Sequence, residues 1–156
     1  MTTDLEALYR DTIVDHNKHP RNYRALEGGS KAEGFNPLCG DRLTVYLHVE
    51  NGVIRDATFQ GLGCAIAKAS ASLMTERVKG IAVADAAALL ERVQRMVTAP
   101  ADMPIDDLGT LSALVGVRRF PIRVKCAMLA WHAMRAATVA TGADPGNPGI
   151  DIVTTE

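Results

Sequence analysis

The stretch Arg42-Leu43-Thr44-Val45-Tyr46-Leu47-His48-Val49-Glu50-Asn51-Gly52-Val53-Ile54-Arg55-Asp56-Ala57-Thr58-Phe59-Gln60 reads as a β-hairpin. Its first arm alternates, with Leu43, Val45, Leu47 and Val49 on one face and Thr44, Tyr46 and His48 on the other. Period-two alternation of this kind marks a strand buried on one side. Asn51 and Gly52 both tolerate positive φ and so supply the turn. A two-residue turn would place Asp56, Thr58 and Gln60 beside the four aliphatics. A three-residue turn with Gly52 left-handed instead aligns Val53, Ala57 and Phe59 with them and leaves Arg55 as the exception. The buried face of a sheet must be consistently apolar, which favours the three-residue turn.

On both sides of the hairpin the periodicity becomes helical. Asp4 to about His16 carries Leu5, Leu8, Tyr9, Ile13 and Val14 at helical spacing, and Pro20 closes that helix. Lys31 to Pro37 is short enough for an edge strand. Gly61-Leu62-Gly63 breaks the hairpin's second arm, and Cys64 opens a helix of small residues running to about Lys79, with Gly80 as its C-terminal cap. Val83 to Val97 is amphipathic, with Ala86, Leu89, Leu90, Val93, Met96 and Val97 on one stripe. A short helix is expected near Leu108 to Leu114. Pro121 suits the first position of a last helix through Ala140. The predicted architecture is α+β: about three antiparallel strands with helices packed on one face. One domain over 1–140 is expected, followed by a flexible tail over 141–156 rich in Gly and Pro.

Bulk properties narrow the function. The chain has 156 residues, 47% of them hydrophobic and 22% charged. Lys+Arg (17) nearly balance Asp+Glu (18), for a formal net charge of -1. A nucleic-acid or membrane-surface protein usually carries a basic excess, so neither class fits. No apolar run is long enough to cross a bilayer, and Met1-Thr2-Thr3-Asp4 lacks the basic start of an export signal. The expected location is the cytoplasm.

The three cysteines, Cys39, Cys64 and Cys126, form no even-numbered disulfide framework. Taken singly, each reads as a small buried hydrophobe. Their placement on the hairpin adds a second reading. A hairpin sets the start of its first strand beside the end of its second, which brings Cys39, Asp41 and Cys64 to one open end. Cys126 lies one turn into the last helix, within reach of that end. Three thiolates and a carboxylate make a tetrahedral donor set for zinc. A helix N-terminus favours negative charge on Cys64. Scattered buried cysteines, with Asp41 as a turn residue, remain the alternative. The histidines pair with no cysteine by spacing: His16 and His19 suit a helix C-terminus, and His48 and His132 read as solvated.

Asn36-Pro37-Leu38-Cys39-Gly40-Asp41-Arg42, the Gly61–Met74 stretch with its Gly-Cys and Ala-Ser-Ala-Ser, and Gly116-Val117, Phe120-Pro121 and Arg123-Val124-Lys125-Cys126 occur in order along the chain. Together with Tyr9, Asp15-His16, Pro20-Arg21-Asn22 and Trp131, these segments resemble the SufU-type proteins of iron–sulfur cluster assembly. The likeness runs from Leu5 to about Ala137. It implies a SufE/IscU-like fold and one zinc bound by Cys39, Asp41, Cys64 and Cys126. It further implies that Cys39 receives persulfide sulfur from a SufS-type cysteine desulfurase and passes it to downstream iron–sulfur scaffold proteins. In that family a desulfurase histidine is understood to displace the acceptor cysteine from zinc.

The related IscU-type scaffolds usually carry His before the last cysteine. Here that residue is Lys125, whose ammonium has no lone pair for a metal, and the spacing between Cys64 and Cys126 has the longer form of the SufU branch. Two other readings stand beside a zinc-dependent sulfurtransferase of the SUF system. One is a scaffold for iron or a [2Fe–2S] cluster on the same ligands, and the other is a structural zinc domain for protein binding. Cys39 is also the expected acceptor on physical grounds, because a loop ligand moves more cheaply than one rooted in a helix.

Overall fold

A computed structural model describes residues 4–105, 107–140 and 150–154. Strands β1 (Ser30–Asn36), β2 (Asp41–Glu50) and β3 (Val53–Leu62) form the expected antiparallel sheet. A fourth strand, β4 (Ile150–Thr154), pairs in parallel with β1, giving the order β3-β2-β1-β4. The antiparallel part thus has the expected three strands, and the parallel β4, which lies within the stretch expected to be a tail, adds a fourth. The Lys31–Pro37 segment is then interior, flanked on both sides, where an edge strand was expected. The rest of the expected tail before β4, 141–149, lies outside the described residues.

The hairpin reaches the expected facing by a different route. Asn51 and Gly52 both have positive φ, at 52° and 75°, and Glu50 pairs directly with Val53, so the turn has two residues. The register then shifts between His48 and Val49, where Arg55 is the extra residue of a β-bulge. Beyond the bulge Leu47 faces Ala57 and Val45 faces Phe59, all four fully buried. Asn-Gly strongly favours the tight turn, and the bulge restores the apolar face that this turn alone would have lost. The three-residue turn is thus corrected, while its consequence for Ala57 and Phe59 holds.

Helices α1 (Asp4–Lys18), α2 (Ala65–Val78), α3 (Val83–Thr98) and α4 (Pro121–Ala140) follow the predicted pattern, with a 3-10 segment over Gly109–Arg119 in place of the short helix. The small residues of α2 let it sit at the centre: Ala67, Ala69, Ser70, Ala71 and Ser72 are all completely buried. The Ser70 hydroxyl donates to the Ala127 carbonyl at 2.6 Å and accepts from the Trp131 indole N–H at 3.1 Å. That pair of bonds locks α2 to α4. It also fixes the start of one helix, at Cys64, against the start of the other, near Cys126. Among the described residues no helix is long and apolar enough to cross a membrane.

Candidate metal centre

The open end of the hairpin gathers the predicted donors. Gly40, with φ of 73°, turns the chain between Cys39 and Asp41. Gly61 adopts φ of 141° opposite Leu43, where a Cβ would run into the Arg42 carbonyl, so glycine is required for β3 to close on β2. Ligand atoms of Cys39, Asp41 and Cys126 lie within 4.8 Å of one another. The sulfurs of Cys39 and Cys126 are 3.4 Å apart. Cys64 stands just outside that mutual set, its sulfur 3.9 Å from Asp41 Oδ2.

These spacings suit one ion. A tetrahedron with zinc–sulfur bonds of about 2.3 Å has donor–donor edges of roughly 3.8 Å. The two distances above fall on either side of that length. Soft sulfurs with one carboxylate match the donor preference of zinc and equally that of iron–sulfur chemistry.

The four side chains differ in setting. Asp41 is buried at 1% exposure, and its Oδ1 accepts the Cys64 backbone N–H at 2.8 Å. Cys64 is the N-cap of α2, and its sulfur accepts the Ala67 N–H at 3.4 Å. Cys126 is completely buried in the first turns of α4. Burial pushes its thiol well above the usual range, and the neighbouring Cys39 and Cys64 sulfurs and Asp41 push the same way. Loading a metal on Cys126 therefore has to drive off a proton. Cys39 is exposed, on the loop between β1 and β2. Among the described residues no backbone or amide N–H bonds its sulfur.

Two residues take roles that the quoted segments do not announce, Asn36 beside the donor set and His16 at the seam of α1 and α2. Asn36 ends β1 at an inward position, after Ser30, Ala32 and Gly34, and is completely buried. A polar residue at the inward phase of a strand was the available signal. His16 is buried rather than solvated at a helix end: its Nδ1 lies 2.7 Å from Ser72 Oγ, which also accepts the Arg21 N–H at 2.8 Å. Burial lowers its basicity, Arg21 adds to the effect, and Glu76 and Asp15 partly oppose it. His16 thus fastens α1 to α2 through Ser72 as a neutral ring. Lys125, half-buried and next to Cys126 in the chain, makes no side-chain hydrogen bond or ion pair with the donor set among the described residues.

The chain is similar to known proteins over most of its length. The NifU-like N terminal domain family matches residues 8–127. The zinc-dependent sulfurtransferase SufU of Bacillus subtilis is 39% identical over 131 residues, covering 84% of this chain and 89% of that protein. The iron–sulfur cluster assembly scaffold protein IscU of Streptococcus pyogenes is 36% identical over 133 residues, covering 85% and 84%. A crystal structure from Fervidobacterium islandicum, described as a SUF-system iron–sulfur cluster assembly scaffold, superposes with a TM-score of 0.76. It is 30% identical, with 84% of this chain and 96% of that one covered. By the extent of the family match and of these relatives, the chain belongs to the NifU-like N-terminal domain family, within the group of SufU and IscU proteins.

Proposed function

We propose that the chain is a zinc-containing sulfur acceptor of iron–sulfur cluster assembly, working in the cytoplasm with a SufS-type cysteine desulfurase. The observation that carries this reading is the pairing of an exposed Cys39 with a buried Cys126 only 3.4 Å away. One sulfur is accessible on a loop, and its neighbours are fixed. Cys39, Asp41, Cys64 and Cys126 together would hold zinc. When bound, the ion keeps thiolates deprotonated and contributes no redox chemistry of its own.

Sulfur transfer then follows from the accessibility of Cys39. Its thiolate attacks the terminal sulfur of the desulfurase persulfide. A new S–S bond forms on Cys39 as the donor's S–S bond breaks, and the desulfurase cysteine leaves as a thiolate. Asp41, Cys64 and Cys126 stay in place while Cys39 swings out with its loop. The loaded sulfur is passed on to downstream iron–sulfur scaffold proteins. Purified protein that is colourless, carries about one zinc per chain and stimulates a desulfurase supports this reading. Brown, iron-bearing protein would support the scaffold reading instead. Zinc without any stimulation would leave a structural zinc domain.

A further inference from the structure

Asn36 reaches the donor set with its amide nitrogen and the base of the Cys39 loop with its amide oxygen. Its Nδ2 donates to Asp41 Oδ2 at 3.4 Å and to Cys126 Sγ at 3.5 Å, while its Oδ1 accepts the Leu38 backbone N–H at 3.2 Å. Its carbonyl accepts the Gly40 N–H at 2.8 Å, and the residue pairs with Asp41 across β1 and β2. The amide orientation follows from chemistry: only the oxygen can accept the Leu38 N–H, and only the nitrogen can donate to the Asp41 carboxylate. The side chain is completely buried, so these bonds are not traded for water.

We propose that Asn36 is a positioning residue of the metal centre, whose Nδ2 holds Asp41 and Cys126 as the retained donors while Cys39 is left free to leave. This inference rests on the zinc reading given above. Each retained donor accepts a fixed N–H: Asp41 from Cys64 and Asn36, Cys64 from Ala67, and Cys126 from Asn36. Cys39 accepts none among the described residues. A hydrogen bond to a bound thiolate orients its lone pairs and draws off charge. Such outer contacts set ligand geometry and affinity at metal sites. The same carboxamide anchors the base of the Cys39 loop through Leu38, so the loop has a fixed hinge and a free tip.

Asn36→Asp separates the two halves of this role. It keeps an acceptor for the Leu38 N–H and replaces the donor with an anion facing Asp41. Asn36→Ala removes both. Zinc affinity of the full chain is measured by chelator competition, beside the absorption of the cobalt-substituted protein. Both variants should lose about 10–100-fold in zinc affinity. Their sulfur-to-cobalt bands should move to longer wavelength, because a thiolate without its hydrogen bond gives up charge more readily. If Asn36→Asp matches wild type in affinity and in spectrum while Asn36→Ala is weakened, Asn36 only anchors the loop and the proposal is overturned. Wild-type affinity and spectrum in both variants would overturn it equally. A wild-type chain that takes up neither zinc nor cobalt would sink the zinc reading itself, and this inference with it.

Discussion

Cys39 and Cys126 bring sulfur atoms to within 3.4 Å of each other from opposite kinds of structure. Cys39 sits between Leu38 and Gly40 on an exposed loop, and Leu38 beside it is 61% exposed. Cys126 has no exposed surface, lies on a 20-residue helix, and neighbours the Ser70–Ala127 bond that locks α4 to α2. Moving Cys39 disturbs a few loop residues. Moving Cys126 means unpacking α4 from the sheet. Donors that are equal in chemistry are thus unequal in mobility, and this inequality is what a carrier needs and a purely structural site does not.

The strongest way to break the comparison is to remove each sulfur in turn. Cys126→Ser should lose tight zinc binding, whereas Cys39→Ser should stay folded and keep part of its zinc. Chelator competition should separate the two by more than about 10-fold, since three well-held donors remain in one case and the buried anchor is lost in the other. Equal affinities would mean that the loop and the helix hold the ion alike.

Removing the metal asks how far the anchor depends on it. Zinc held by Cys39, Asp41, Cys64 and Cys126 would join segments that are distant along the chain, so its binding energy would add to folding. At free zinc about a thousand times Kd the gain is roughly 4 kcal/mol. For a chain of this length that corresponds to a fall in Tm of roughly 8–16 °C on chelation. An unchanged melting curve would show that the buried core holds the Cys126 end unaided.

The fold was largely legible because its signals are local. Alternation gave β2, the small-residue run gave α2, and Pro121 gave the start of α4. What was missed depends on partners far along the chain. The Asn51-Gly52 turn was readable, but the bulge at Arg55 arises only when two strands must reconcile a tight turn with one apolar face. β4, Ile-Asp-Ile-Val-Thr, is rich in β-branched residues, but it follows a Gly- and Pro-rich stretch and its partner β1 lies more than a hundred residues earlier. His16 looked like a helix-end cation because its partner Ser72 lies 56 residues away. In the site, the convergence of Cys39, Asp41 and Cys64 followed from hairpin geometry. Asn36 opens a segment that carries the family likeness, but its bond to Cys126, 90 residues away, leaves no mark in the sequence.

Smaller effects sharpen the contrast. Lys125 stands beside the anchored sulfur but offers no lone pair while charged. Lys125→Ala should keep full zinc content and slow transfer from the desulfurase by up to about 10-fold, the loss of roughly one favourable charge contact at a partner surface. Loss of zinc in that variant would place the fourth ligand elsewhere.

The smallest effect lies away from the sulfurs, at the α1–α2 seam. His16 and His132 both titrate below their ordinary value, chiefly because burial disfavours the charged ring. The unfolded chain binds these protons first, so stability is full above about pH 6.5 and falls as pH drops through the lowered values. His16→Asn retains a polar group for Ser72 without a titrating ring. It should cost about 1 kcal/mol at neutral pH and flatten the dependence of Tm on pH below that range. A slope as steep as wild type would assign the acid sensitivity to His132 or to the donor set.

The loop sulfur of Cys39 is the expected acceptor of the transferred atom. Wild type and each single Cys→Ser variant are incubated with desulfurase and free cysteine, and mass spectrometry locates the added sulfur. One extra sulfur is expected on Cys39 in wild type and none in Cys39→Ser, with the Cys39→Ser chain still folded. A Cys39→Ser chain that gains sulfur on Cys64 or Cys126 as fast as wild type would contradict it.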